Sequence, residues 1–161
     1  MINGDFSPWP SFSKQEVSAV SEVLLSNKVN YWTGSQARFF EKEFAIFSDA
    51  SFAIALANGT VAIDLAMNAL RIGKGDEVIV TSRTYIASVS SIVNSGATPI
   101  FVDVDNNSQN ISHKNIIQAI SVKTKAIICV HLAGWPCDMD PIIAIANAAM
   151  VRLQAIFIEL P

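Results

Sequence analysis

Apolar positions in this chain follow one spacing up to about residue 50 and another beyond it. Ser13-Lys14-Gln15-Glu16 reads as a capping box, in which hydroxyl and carboxylate each cover a free amide. Val17, Val20, Leu24 and Leu25 then recur at helical spacing. The stretch before them, through Pro8, Trp9, Pro10 and Phe12, reads as irregular. Asn27 to Ser35 reads as a loop holding Tyr31, Trp32 and Gly34. A second amphipathic helix is expected from Gln36 to Phe47, burying Phe39, Phe40, Phe44 and Phe47.

From Phe52 short apolar runs alternate with helical patterns. Strands are expected at Phe52–Ala57, Glu77–Thr81, Thr98–Val104 and Ala126–His131, with a fifth starting at Ile156–Ile158. Helices are expected at Val61–Leu70, at Tyr85–Val93, after a Ser112 cap through Ile117 and Ile120, and at Pro141–Ala149. The strands are apolar throughout rather than alternating. Together with the alternation of strand and helix, this predicts an α/β fold, a mostly parallel sheet covered on both faces.

Composition narrows the function classes. The 161 residues are 51% hydrophobic and 16% charged, which excludes a disordered chain. The net charge of −3 lacks the basic excess of a nucleic-acid surface. No apolar run approaches the roughly 20 residues that span a bilayer. The first residues, Met-Ile-Asn-Gly-Asp, lack the basic and apolar regions of a signal peptide, so a cytoplasmic location is expected. Cys129 and Cys137 fit no metal or redox spacing and are expected to be reduced and packed. The mean hydropathy of +0.38 is high for a soluble domain.

In open α/β sheets ligands bind beyond the carboxyl ends of the strands. Asn58-Gly59-Thr60 lies at one such end. A hairpin turn is disfavoured there because helical periodicity follows. Glycine would let the backbone approach an anion, threonine would add a hydroxyl, and the helix N-terminus would add free amides. On the tripeptide alone, a plain strand-to-helix turn with Thr60 as N-cap is the favoured reading. Thr81-Ser82-Arg83-Thr84-Tyr85 follows the next strand; Tyr85 could stack on a flat cofactor or pack on the next helix, and spacing alone favours packing. His131 ends a strand with no second ligand near it in sequence, so no metal site is expected. Asp103 reads as a loop-fixing acceptor and His113 as a surface residue.

Taken in order, several segments resemble the DegT/StrS-type sugar aminotransferases, a branch of the fold-type I pyridoxal-phosphate (PLP) enzymes. They are Tyr31-Trp32-Thr33-Gly34 with Phe40-Glu41; Ala57-Asn58-Gly59-Thr60 with Asp64 and Leu65; Gly75-Asp76-Glu77-Val78-Ile79; Thr84-Tyr85-Ile86-Ala87-Ser88; Gly96 through Val104; Lys123 through Ile127; and Val130-His131 with Gly134 and Asp138-Met139-Asp140. The resemblance covers residues 30 to 146. It implies a three-layer sandwich, with an N-terminal helical segment at 1–50 and an incomplete PLP-binding large domain at 51–161. It implies that Gly59 and Thr60 hold the cofactor phosphate, that Tyr85 stacks on the pyridine ring, and that His131 flanks the cofactor cleft. Tyr31 and Trp32 would lie near the substrate. It further implies a nucleotide-linked keto sugar as substrate, glutamate as amino donor, and a homodimer for the complete enzyme.

The resemblance also names what the chain lacks. Transamination needs a lysine amine for a Schiff base and a carboxylate paired with the pyridine nitrogen. Ile156-Phe157-Ile158-Glu159 resembles the approach to that carboxylate, but Leu160 stands in its place and Pro161 follows. Lys74, Lys114, Lys123 and Lys125 lie in segments the family does not use for the Schiff base. No catalytic residue is therefore assigned, and the chain alone is expected to be inactive, with a frameshift or premature stop as a natural explanation. The family strand that would neighbour Phe52 to Leu56 is also missing, so apolar surface is expected to be exposed. The alternative is a dead remnant or binding module keeping a phosphate pocket or dimer face. A nucleotide-binding Rossmann domain ranks low, because the first strand-turn lacks Gly-x-Gly-x-x-Gly. A family subgroup with histidine in place of the lysine performs dehydration, and that ancestry stays open.

Overall fold

A computed structural model describes residues 10–158, the last seven through their backbone. Glu159, Leu160 and Pro161, like the residues up to Trp9, lie outside the described residues. The chain divides into two compact units, Met1–Ala55 and Leu56–Pro161.

The first unit carries α1 (Lys14–Leu25) and α2 (Gln36–Phe47). The capping box forms: Glu16 N–H donates to the Ser13 hydroxyl at 3.2 Å, and Ser13 N–H to the Glu16 carboxylate at 2.6 Å. The α2 phenylalanines are not buried as expected. Phe39, Phe40, Phe44 and Phe47 are 48 to 86% exposed. Their amphipathic pattern is real, but no described residue covers it, and the rings of Phe40, Phe44 and Phe47 touch one another instead. Phe52 to Ala57 is also corrected: it forms no strand. A strand must pair its backbone groups. No described strand offers it a ladder, and Ala55 N–H donates to the Glu41 carboxylate at 2.9 Å instead.

The second unit holds α3 (Gly59–Ala69), β1 (Glu77–Thr81), α4 (Ala87–Asn94), β2 (Thr98–Val102), α5 (His113–Ala119), β3 (Thr124–Leu132), α6 (Met139–Ala148) and β4 (Arg152–Ile158). The sheet is parallel throughout, in the order β2-β1-β3-β4. Val78, Ile79 and Val80 of β1 have no exposure at all, which explains why that run is apolar without alternation.

Strand parity sorts the core into two layers. Val78, Val80, Ala126, Ile128 and Val130 pack with Ile63 and Met67 of α3 and Ile92 of α4. Ile79, Ile127 and Cys129 pack on the other face with Ile116 of α5, Ile142 and Ala146 of α6, and Cys137. Helices therefore cover both faces, and the three-layer sandwich is observed. Several ends differ from expectation. Tyr85 and Ile86 form a tight turn, with Ser88 N–H bonded to the Tyr85 carbonyl, and α4 begins only at Ala87. β2 stops at Val102, and Val104 makes an isolated antiparallel bridge to Ile111. β3 is longer than predicted at both ends, and α6 begins two residues before Pro141. β4 begins at Arg152 rather than Ile156.

Candidate functional site

The topology locates a crevice. From β1 the chain crosses through α4 on one face to β2, then through α5 on the other face to β3, on the far side of β1. Strand order reverses between β1 and β3, and ligands in such sheets sit outside the carboxyl ends at that reversal. Three segments meet this edge: the loop after β1, the turn after β3, and the start of α3. The last follows from length. α3 feeds the amino end of β1 through residues 70–76, and at ~1.5 Å per helical and ~3.3 Å per strand residue the two elements have similar lengths. The N-terminus of α3 is thus level with the carboxyl end of β1.

Asn58, not Thr60, caps α3: its side-chain oxygen accepts the Val61 N–H at 3.0 Å. Extended backbone at Asn58 places that oxygen over the first turn, a role the short amide side chain serves well. This leaves the N–H groups of Gly59 and Thr60, which have no acceptor within a helix. A Cβ added to Gly59 would meet nothing within 4 Å, so open space adjoins those amides. Thr60 is half-buried, its hydroxyl available beside them. Two free amides, a hydroxyl and the positive end of a helix form an arrangement suited to a phosphate.

Tyr85 stands at the neighbouring helix start, 56% exposed, so packing on α4 does not consume its ring. Behind it the Thr84 and Ser88 hydroxyls are 2.8 Å apart, fixing the turn, and the Thr81 hydroxyl accepts the Arg83 N–H at 3.2 Å. The Arg83 guanidinium bonds the Gln109 side chain, tying this loop to the one after β2.

His131 ends at the same edge but in the other layer. It shares parity with Ile127 and Cys129, is 3% exposed, and accepts the Cys137 N–H on Nδ1 at 2.9 Å. Burial pushes its imidazole below the ordinary histidine range. With Nδ1 an acceptor, the neutral ring carries its proton on Nε2. Gly59 and Thr60 thus open α3 and Tyr85 precedes α4, the two helices that cover one face of the sheet, while His131 belongs to the α5/α6 face. Cys129 and Cys137 are free and buried. The Asp103 carboxylate accepts the Val104 N–H at 2.8 Å, a loop-fixing role as expected. His113 opens α5, 3.9 Å from the Asp138 carboxylate.

Tyr31 and Trp32 belong to the first unit. Asn30 holds their loop, accepting the N–H groups of Trp32 and Thr33 at 3.0 and 2.9 Å. Tyr31 donates its hydroxyl to Glu41 at 3.1 Å, and that carboxylate raises the phenol above its ordinary range. Arg38 donates to the carbonyls of Tyr31 and Gly34 and lies 5.5 Å from the Tyr31 ring centre. The Trp32 ring meets Tyr31 edge-on and is otherwise exposed.

One residue at the edge escaped sequence reasoning. Asn110, 2% exposed, bonds the turn after β3 through both ends of its amide. Its partners lie 22 and 25 residues away, so no local pattern reveals it. Among the described residues no cluster of metal-ligating side chains occurs, and no helix is long and apolar enough to cross a membrane.

Known proteins share this sequence and fold. GDP-perosamine synthase of Escherichia coli O157:H7 is 47% identical over 142 residues, covering 86% of this chain and 38% of the relative. The crystal structure of an aminotransferase from Psychrobacter cryohalolentis superposes with a TM-score of 0.90 at 58% identity, covering 94% of this chain and 38% of that one. NtdA of Bacillus subtilis, solved with its cofactor PMP bound, superposes at 0.83 with 30% identity, covering 95% and 37%. This chain therefore spans little more than a third of the length of these relatives. The sequence pattern of the DegT/DnrJ/EryC1/StrS aminotransferases matches residues 10–154, and the chain belongs to that family.

Proposed function

We propose that this chain forms the phosphate- and ring-binding part of a cytoplasmic, PLP-dependent aminotransferase acting on a nucleotide-linked keto sugar. The observation that carries the proposal is the start of α3, where the Gly59 and Thr60 amides are left without intrahelical acceptors beside open space. A phosphate needs such donors, and the residues present fit it. The E. coli relative, named for synthesis of GDP-perosamine, supports a nucleotide sugar as substrate.

In this reading Gly59 admits the phosphate to the backbone, and Thr60 adds a hydroxyl hydrogen bond. Tyr85 offers an exposed ring face to a flat heterocycle. His131 supports the crevice from below by locking the turn after β3. Tyr31 and Trp32, on their hydrogen-bonded loop, would serve the sugar. When bound, pyridoxal phosphate supplies an electron sink for amino-group transfer. The residues at this edge offer amides, hydroxyls, a phenol, the Arg83 guanidinium and the His131 imidazole. Lys74, Lys123 and Lys125 precede strands or begin one, at the opposite edge of the sheet, whereas Lys114 opens α5 on the carboxyl side, beside Asp105. In this reading none of these lysines is assigned the Schiff base, the chain alone binds without turning over, and glutamate and a second subunit serve the full-length aminotransferase.

Equilibrium dialysis with pyridoxal phosphate and with pyridoxal tests the reading. Binding that requires the phosphate supports it, and equal retention of both ligands contradicts it.

A further inference from the structure

We propose that Asn110 is a positioning residue, whose buried amide sets the turn after β3 and through it the His131 ring at the proposed cofactor edge. The value of that position rests on the function proposed above, but the inference concerns residues of this chain alone.

The loop bearing Asn110 is itself fixed. The Asp105 carboxylate accepts the N–H groups of Asn107 and Ser108 at 3.0 and 2.9 Å. The Asp105 N–H donates to the Asn110 carbonyl at 2.9 Å, and Val104 bridges Ile111. From this base the Asn110 side chain reaches into the β3–α6 connection. Its Nδ2 donates to the Trp135 carbonyl at 2.9 Å, and its Oδ1 accepts the Leu132 N–H at 3.3 Å. These two groups sit on either side of a tight reversal. Within it the Gly134 N–H bonds the His131 carbonyl and the Trp135 N–H bonds the Leu132 carbonyl.

The reversal is strained. Ala133 has φ of +51°, a left-handed conformation that alanine adopts at a cost. A turn under such strain relaxes unless its surroundings hold it. Asn110 does so with a donor and an acceptor matched to two part-buried backbone groups of the turn. Beyond the reversal the chain returns its Cys137 N–H to His131 Nδ1 at 2.9 Å. That bond closes only if residues 132–136 keep their path. Asn110 therefore acts on the ring at a distance, by holding the segment that brings the Cys137 N–H to it. The same segment carries Trp135, 66% exposed at the strand ends.

Nitrogen NMR of the imidazoles in the 161-residue chain tests this, because a merely structural role would not change a tautomer. The wild type is expected to show His131 as one tautomer, protonated on Nε2. Asn110→Ala is expected to convert it to a mixture and to speed exchange of the Leu132 amide about tenfold or more. Asn115→Ala removes a nearby bond to the Asp103 carbonyl and should leave His131 unchanged. An Asn110→Ala protein that is less stable but keeps the single tautomer overturns the proposal. Should that variant not fold, amide exchange in the wild type decides. Slow exchange of the Asn110 side-chain amide and the Leu132 N–H supports the clamp, and free exchange of both contradicts it. None of these readouts involves cofactor, so loss of the functional reading would leave them intact.

Discussion

The Cys137 N–H donates to Nδ1 of His131 across 2.9 Å, closing a six-residue connection onto the strand end it leaves. The bond requires a neutral acceptor nitrogen, and burial works in the same direction by disfavouring the imidazolium. Folding thus lowers the affinity of His131 for a proton. Unfolded, the group titrates near 6.5; folded, it titrates lower. Its contribution to stability is complete above the unfolded value and disappears as pH falls through the folded one.

Urea unfolding at a series of pH values reads this directly. The wild type is expected to lose stability as pH drops below about 6.5, relative to His131→Gln, which keeps an acceptor but does not titrate. Parallel pH profiles for the two proteins would contradict the assignment.

Asn58 accepts the Val61 N–H at 3.0 Å and caps α3. Asn58→Ala is expected to cost about 1 kcal/mol in thermal or urea unfolding. Thr60→Ala, which removes no cap, should cost less. A reversed order would return the cap to Thr60.

A Cβ at Gly59 meets no protein atom within 4 Å. Gly59→Ala should therefore leave stability unchanged or slightly raised, since alanine favours helix. The same methyl would stand where a phosphate approaches the backbone, so binding of pyridoxal phosphate should weaken. Dialysis and thermal unfolding on one sample separate the two effects. Unaltered binding would place the anion elsewhere.

Ala133 has φ of +51° in the reversal after β3. Ala133→Gly is expected to stabilise the protein by about 1 kcal/mol, measured by urea unfolding, through relief of the left-handed strain. No gain would mean that unfolded-chain entropy offsets it.

Much of this was visible in the sequence, for physical reasons. Val78-Ile79-Val80 reads as a buried parallel strand because both faces of β1 are covered, and that burial removes any polar alternation. Segments whose partners lie elsewhere were harder. Phe52 to Ala57 has the composition of a strand, but composition does not supply a ladder, and none forms. The α2 phenylalanines have the spacing of a buried stripe without a described neighbour to bury it. Gly59, Thr60 and Tyr85 become candidates through loop position and family resemblance. Spacing alone favours the plainer reading of each. Asn110 gave no sign, because its role depends on carbonyl and amide groups more than 20 residues away. That His131 faces the α5/α6 layer follows from strand parity, which becomes usable only once the neighbours of β3 are known.

The most direct test of the phosphate-gripping edge is a spectroscopic titration of the 161-residue chain with pyridoxal phosphate, run alongside Thr60→Ala and Tyr85→Ala. The wild type is predicted to bind tightest, with Thr60→Ala weaker by about tenfold for loss of a hydrogen bond to a charged group, and Tyr85→Ala also weakened through loss of the ring face. Equal, weak binding by all three proteins would contradict the account.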